Sequence, residues 1–115
     1  MRDHVAFIFL KNILLFMCKI VNLYKEPYDV YIGRSRKGEP FNKWYNPFVI
    51  DKSNPNSLSE VLDKYRKYLW KEIKSGNITV EDLKNLDGKV LGCFCKPKDC
   101  HGDIIIKAVE WAKLK

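Results

Sequence analysis

The apolar positions of the chain fall into two patterns, one with the period of a strand and one with the period of a helix. Short apolar or alternating runs occupy residues 18–24, 29–33 and 90–94, and turn-forming residues bound them. Such runs are typical of buried strands. The longest helical pattern begins at Ser57, after which apolar residues recur every three or four positions.

Capping signals predict where the helices begin and end. Ser57 and Glu60 have the spacing of a capping box, and so do Thr79 and Asp82. Gly76 follows the long apolar stripe and predicts its C-terminal end. We therefore expect a long helix followed by a short one.

The order of elements is strand, strand, loop, two helices, strand and a last helix from about residue 100 to residue 113. The connection over residues 49–88 is long enough to cross over between parallel strands. Apolar strands that alternate with helices favour a largely parallel sheet covered by helices. We predict a small three-layer α/β, Rossmann-like domain with a short, mostly parallel sheet.

The beginning of the chain does not follow this pattern. An apolar run over residues 5–17 is interrupted by Lys11 and Asn12, and it is too short to span a bilayer. No small-residue cleavage site follows it, which argues against a secretory signal. We interpret residues 1–16 as an N-terminal extension and residues 17–115 as a single domain. Under the hypothesis that Met17 is the true start, the extension is not native.

Charge and cysteine content narrow the class of protein. The net charge of +7 suits an anionic partner, such as a nucleotide or a nucleic acid, and equally serves solubility. The long helix carries five basic residues: Lys64, Arg66, Lys67, Lys71 and Lys74. In the simpler interpretation these side chains form a solvated face. In the other interpretation they bind nucleic acid. Four cysteines without a secretory signal predict a reducing compartment, so we expect a cytoplasmic protein.

Candidate chemistry concentrates where the third strand meets the last helix. Cys93, Cys95, Cys100 and His101 fall within a span of nine residues. Zinc binds sulfur and imidazole ligands, so these four residues are a candidate metal site and zinc a candidate cofactor. The spacing C-x-C-x4-C-H differs from the paired knuckles of structural zinc sites, and Cys93 also suits a small buried strand position.

A second interpretation places an anion or nucleotide pocket at the carboxyl edge of the sheet, where open α/β sheets bind ligands. Gly33 allows close backbone approach, and Arg34 and Arg36 beyond it are candidate phosphate partners. Cys100 and Gly102 open the last helix, whose free N–H groups and dipole favour a negative charge. In the alternative interpretation the arginines are surface charges and the histidine is a helix cap.

The aromatic segment after the basic loop completes this predicted pocket. We place Trp44, Asn46 and Phe48 at its mouth, where the rings could stack on a base. Aromatic residues in a loop of this length also commonly cover a core. No P-loop and no G-x-G-x-x-G motif accompanies them.

Nucleophilic catalysis is a third candidate. It would use Cys95 or Cys100 together with His101 or Asp103. A cysteine at a helix start is reactive if exposed, and a histidine beside it can act as acid, base or donor. Because adjacent residues rarely face each other on a helix, we predict that His101 pairs with Cys95 and not with Cys100.

Three segments resemble the DUF4326 family, a domain of unknown function found in bacteria, phages and large viruses. They are Tyr31-Ile-Gly-Arg34, Trp44-Tyr-Asn-Pro-Phe48 and Leu91-Gly-Cys-Phe-Cys-Lys-Pro-Lys-Asp-Cys-His-Gly-Asp103. The resemblance covers residues 18–114, with Tyr45 where the family has a glycine and a longer, more basic loop before it. It implies a compact intracellular α/β domain and points toward nucleotide-related chemistry, although the family has no established activity.

Taken together, the residues predict binding or processing of a nucleotide or similar phosphorylated small molecule at the strand-end Cys/His turn. The alternative is a non-enzymatic, zinc-stabilised module that binds nucleic acid or protein through its basic helix face. The first hypothesis requires the second and third strands to end at one shared hollow, with Arg34 and His101 on the same side of the molecule. The sequence predicts neither the oligomeric state nor the identity of the ligand.

Overall fold

The computed structural model describes residues 18–34, 42–93 and 100–115. The predictions on the extension 1–16, on Arg36 and on Cys95 lie outside these residues. The described elements are the strands β1 (Lys19–Asn22), β2 (Val30–Tyr31) and β3 (Val90–Cys93) and the helices α1 (Ser57–Ser75), α2 (Val80–Lys84) and α3 (His101–Lys113).

The three strands form a parallel sheet in the order β1-β3-β2. Lys19 lies opposite Val90 in one pairing, and Val30 lies opposite Leu91 in the other. The strand that comes last in the chain is therefore central, and its apolar sequence follows from this position because both neighbours bury it. The prediction of a small α/β domain with a short parallel sheet is confirmed.

A short connection crosses one face of the sheet. Only residues 23–29 join β1 to β2, whereas a parallel crossover commonly takes a dozen residues or more. The ring of Tyr28 occupies the space over Gly92, where a Cβ atom would lie 2.6 Å from Cγ of the tyrosine. Glycine at this position lets the connection pass close to the backbone of β3.

Helix α3 packs on the opposite face with equally little clearance. A Cβ atom at Gly102 would lie 2.4 Å from Cδ1 of Ile20 and 2.7 Å from Cδ1 of Ile32. Helices α1 and α2 both pack against α3. The largest fully buried side chains come from these helices and from the sheet: Tyr65, Ile32, Leu69, Leu83, Leu91, Ile105 and Val109.

The predicted start of α1 at Ser57 and its end at Gly76 are confirmed, whereas one of the two predicted capping boxes is wrong. Thr79 and Asp82 form the predicted capping box, and Gly76 ends α1 with a positive φ of 85°. Ser57 is already inside α1, and its hydroxyl accepts a hydrogen bond from the Asp51 amide at 2.7 Å. The serine therefore anchors the preceding loop and does not cap the helix. No helix of the described segments has both the length and the apolar character needed to cross a membrane.

Candidate functional site

A cleft of about 340 Å³ opens where β2 and β3 end, and we call it the strand-end cleft. Its lining comes from four separate segments: Gly33, Arg34, Asn46, Phe48, Val49, Ile50, Cys93 and His101. The shared hollow that the leading hypothesis requires is therefore present, with an arginine and a histidine on its wall. What these side chains bind stays a prediction.

Asn42, which the sequence reasoning missed, fixes the loop that forms one side of the cleft. Its Nδ2 donates to the carbonyl oxygens of Tyr31 at 2.7 Å and Gly33 at 2.8 Å. Its Oδ1 accepts from the amide of Trp44 at 2.9 Å. The last contact is an Asx turn, a local signal that an asparagine two residues before Trp44 could have given.

The donors of the cleft come from Arg34 and Asn46. The Nη2 of Arg34 lies 3.4 Å from the Phe48 carbonyl, which is a long contact that leaves the guanidinium exposed. The Oδ1 of Asn46 accepts from the Phe48 amide at 2.9 Å, which fixes the orientation of this carboxamide. Its Nδ2 makes no hydrogen bond in the described part of the chain. A charged donor and an amide donor together favour an anionic or carbonyl oxygen.

His101 lies at the back of the cleft and is only 6 % exposed. Its Nε2 donates to the Ile32 carbonyl oxygen at 2.8 Å, and the edge of its ring packs on Tyr65 at a centroid distance of 5.0 Å. Burial lowers the pKa of His101, although the hydrogen bond to Ile32 opposes this effect. The lowered pKa favours the neutral imidazole, in which Nε2 carries the proton and Nδ1 is the acceptor nitrogen.

The Nδ1 of His101 faces Cys100, contrary to our prediction. The Sγ of Cys100 lies 3.7 Å from this nitrogen and 3.1 Å from the Sγ of Cys93. The expectation that Cys100 and His101 face apart was wrong because Cys100 precedes the helix, with an extended backbone at φ −138° and ψ 149°. The rule for adjacent helical residues does not apply to an N-cap residue. Cys95, the predicted partner, lies outside the described residues.

The N-terminus of α3 does not offer the phosphate cradle that we predicted. The Gly102 amide donates to the Sγ of Cys100 at 3.4 Å, and the Cys100 amide donates to the Oδ2 of Asp103 at 3.2 Å. The cap of the helix is therefore Cys100 and not His101. The carboxylate of Asp103 already places a negative charge at this end of the dipole, which disfavours a second anion. Gly102 serves the packing of α3 on the sheet.

Trp44 also lies elsewhere than predicted. It is 7 % exposed and belongs to the hydrophobic core, and it does not line the strand-end cleft. Its carbonyl oxygen accepts from the Tyr65 hydroxyl at 2.9 Å, which ties the aromatic segment to α1. Val49 and Ile50, which our reasoning overlooked, provide the exposed apolar wall instead and are 70 % and 45 % exposed.

The predicted zinc site is only partly inside the described residues. Among residues 18–34, 42–93 and 100–115, no group of three or more His, Cys, Asp or Glu side chains is arranged to hold a metal. Two thiolates on one tetrahedral zinc lie about 3.8 Å apart when each Zn–S bond is about 2.3 Å. The sulfurs of Cys93 and Cys100 are closer than this, at 3.1 Å. Zinc binding stays a prediction.

A second concave surface of about 590 Å³ lies on helix α1, and we call it the α1 groove. It is lined by Arg66, Lys67, Trp70, Lys71 and Lys74. Asp63 pairs with the first two of these cations at 2.6 Å and 3.1 Å. The indole of Trp70 packs edge to face on Trp111 at a centroid distance of 5.0 Å, which holds the ring in the groove.

The described residues define a small α/β domain in which a cleft opens at the end of a parallel sheet, with Cys93 and His101 in its lining. The model of the domain of unknown function DUF4326 matches residues 19–111, and the chain belongs to this family. It is also similar to the uncharacterized 12.4 kDa protein in the nrdA-td intergenic region of Enterobacteria phage T4. The two chains are 40 % identical over 94 residues, which cover 82 % of this chain and 79 % of the phage protein. No solved structure matches the chain.

Proposed function

We propose that the strand-end cleft binds a nucleotide or a similar phosphorylated small molecule. The observation that carries this proposal is the meeting of Arg34, Asn46 and Phe48 at one opening beside the carboxyl ends of β2 and β3. In our proposal Arg34 binds the phosphate, since a guanidinium matches two phosphate oxygens at once. The Nδ2 of Asn46 donates to the ligand, and the ring of Phe48 packs against its base.

The size and position of the cleft support this proposal. Small-molecule sites commonly enclose about 300–1,000 Å³, so a cleft of about 340 Å³ suits one mononucleotide better than a dinucleotide. We further propose a Rossmann-like relationship for the sheet, supported by its parallel strands and by a cleft at their carboxyl edge. The absence of a glycine-rich phosphate loop leaves the phosphate to side-chain donors.

Binding can be tested by calorimetry with nucleoside mono-, di- and triphosphates. We expect Arg34→Ala to weaken the binding of the best of these ligands by about tenfold or more, because a charge-assisted contact is lost. Arg66→Ala is the matched control, since it removes the same side chain from the α1 groove and should leave the affinity unchanged. Absence of binding by every nucleotide, or equal loss in the two variants, would overturn the proposal.

A reaction at this site would depend on His101. Of the predicted catalytic residues within the described segments, only this one lines the cleft, whereas Cys100 and Asp103 form the capping box at the start of α3. A neutral imidazole with an acceptor nitrogen suits a general base. Conversion of a bound nucleotide, followed by chromatography, should disappear in His101→Gln while binding persists. If the nucleotide is unchanged after long incubation with the wild-type protein, the cleft binds the nucleotide without converting it.

A second candidate function is the binding of single-stranded nucleic acid in the α1 groove. Four cations around one indole suit a phosphate backbone with a stacked base. We expect the double variant Lys71→Ala, Lys74→Ala to reduce the affinity for a single-stranded oligonucleotide and to flatten its dependence on salt. The double variant Lys19→Ala, Lys25→Ala, which removes two lysines outside the groove, serves as the control. Affinity that is independent of salt would contradict this candidate.

We also propose a cytoplasmic location. Cys18, Cys93 and Cys100 form no disulfide within the described residues. Reduced cysteines persist in reducing compartments, which supports this location.

A further inference from the structure

We propose that Cys93 and Cys100 are a redox modification site, a dithiol that closes to an intrachain disulfide when a peroxide reaches the strand-end cleft. The pair links the end of β3 to the first residue before α3. The formation of the disulfide is independent of the proposed function, whereas its control by a ligand rests on that function.

The geometry of the two sulfurs carries this inference. They lie 3.1 Å apart, so they must approach by only about 1 Å to reach the disulfide bond length of about 2.05 Å. Both side chains are almost fully buried, at 1 % and 2 % exposed, so surrounding atoms hold the sulfurs in place. Because proximity is already achieved in the fold, closure requires no large movement of the backbone.

Access and activation differ between the two thiols. Cys93 lines the strand-end cleft, whereas Cys100 does not. Cys100 instead has the Nδ1 of His101 at 3.7 Å, and this nitrogen can accept its proton. We therefore assign Cys93 as the thiol that meets the oxidant and Cys100 as the resolving thiol.

The chemistry balances with hydrogen peroxide as the oxidant. The thiolate of Cys93 attacks one peroxide oxygen, breaks the O–O bond and becomes a sulfenic acid, and the departing oxygen leaves as water after protonation. The sulfur of Cys100 then attacks the sulfenic sulfur and forms the S–S bond, and its proton leaves with the second oxygen as water. Two thiols and one peroxide yield one disulfide and two waters.

Cys18 provides an internal contrast. It is buried at 5 % exposed and does not line the strand-end cleft. Burial, together with nearby Asp87, raises its pKa to about 11. A thiol with so little thiolate at neutral pH reacts slowly with peroxide, so Cys18 should stay reduced.

The site can be tested on the full chain, reduced, treated with a chelator and exposed to hydrogen peroxide. Trypsin cuts after Lys89, Lys98 and Lys107 but does not cut between Lys96 and Pro97. We expect a loss of mass equal to two hydrogen atoms and a cross-link between the peptides of residues 90–98 and 99–107. Cys93→Ser and Cys100→Ser should abolish this cross-link.

Two further variants separate the pair from the other cysteines. Cys18→Ser and Cys95→Ser should keep the cross-link between the same two peptides. Its persistence in Cys93→Ser or its absence in Cys95→Ser would assign the chemistry to Cys95 and overturn the proposal. Absence of any mass loss in the wild-type protein would also overturn it.

Ligand protection tests the route of the oxidant. If a nucleotide occupies the cleft at about ten times its Kd, the cross-link should form about tenfold more slowly, because only the empty fraction reacts. A cross-link without any nucleotide binding supports the dithiol and refutes the proposed function. Measured binding without protection refutes the assignment of Cys93 as the thiol that meets the oxidant.

Discussion

The strand-end cleft and the α1 groove are built in different ways. The cleft brings together the end of β2, the loop of residues 46–50, the end of β3 and the first turn of α3. The groove comes from consecutive turns of a single helix. The cleft is mostly apolar with one described cation, Arg34, whereas the groove carries four cations. The cleft thus suits one shaped ligand, and the groove suits a flexible polyanion.

This difference decides how each surface responds to mutation. The cleft depends on tertiary contacts, so changes in the packing between sheet and helix should alter both its shape and the stability of the fold. The groove depends on side chains that project from one helix, so single changes there should alter charge and leave the fold intact. The following predictions test this contrast.

The largest expected effect is that of Gly102→Ala. The new methyl group would press on Ile20 and Ile32, which lie 2.4 Å and 2.7 Å from its position, and would push α3 away from the sheet. We expect the free energy of unfolding to fall by about 3 kcal/mol, as in overpacked cores, and ligand binding in the cleft to weaken. Chemical denaturation measures the first effect.

Gly76→Ala is the matched control for this change. No atom lies within 4 Å of the new methyl group, so only the positive φ of 85° opposes it, at about 1 kcal/mol. An equal loss of stability in the two variants would mean that the contact between α3 and the sheet is not tight. Oligonucleotide binding in the α1 groove should be unchanged in both.

Asn42→Ala should have the next largest effect. It removes two hydrogen bonds to the end of β2 and one to the Trp44 amide. We expect a loss of about 2 kcal/mol in unfolding free energy, since partly buried groups are left unpaired. Asn77→Ala removes one exposed contact to Glu72 and should change stability by less than about 0.5 kcal/mol. Similar losses of unfolding free energy in the two variants would contradict the structural role that we assign to Asn42.

His101 should make stability depend on pH. Burial lowers the pKa of His101 in the folded protein, so the unfolded chain takes up a proton first as the pH falls. The stabilisation is complete above about pH 6.5 and is lost below it, by at most about 1.4 kcal/mol per pH unit. His101→Gln keeps a donor for Ile32 and should flatten the stability profile between about pH 7.5 and about pH 5.5. A steep profile in His101→Gln would contradict the assignment.

Asp63→Asn should have the smallest effect on the fold. Its carboxylate forms exposed pairs with Arg66 and Lys67, and pairs of this kind contribute little to stability. We expect an unchanged Tm, while the α1 groove gains one net positive charge. Oligonucleotide affinity measured by anisotropy should rise at low salt. A lower affinity would show that the acidic residue positions the cations for binding.

Local signals in the sequence predicted the capping box of α2 and failed for the cap of α1. Thr79 and Asp82 form their capping box, although Lys43 also contacts the carboxylate of Asp82 at 2.8 Å. Ser57 has the same spacing to Glu60, but its hydroxyl accepts a hydrogen bond from the Asp51 amide. The spacing does not reveal the loop that brings Asp51 close to Ser57. The outcome depends on which donor lies closer in the folded chain.

The candidate site shows the same limit. Strand ends and the glycine after β2 were sufficient to predict that Arg34 and His101 share one hollow. For Trp44 the sequence left two positions open, the mouth of the pocket and the core, and the core position goes with a hydrogen bond from Tyr65, 21 residues away, that no local signal reveals. The contact between Cys100 and His101 was missed because the helix begins one residue later than we expected.

The position of β3 in the middle of the sheet has a consequence for synthesis on the ribosome. Both neighbouring strands, β1 and β2, precede β3 by long stretches of chain. Lys19 of β1 cannot pair until its partner Val90 has been synthesised. Among the strands of the described residues, in the order β1-β3-β2, the two outer strands pair with β3 alone. Their pairing therefore waits until β3 has been translated, and the nascent chain must keep β1 and β2 from aggregating until then.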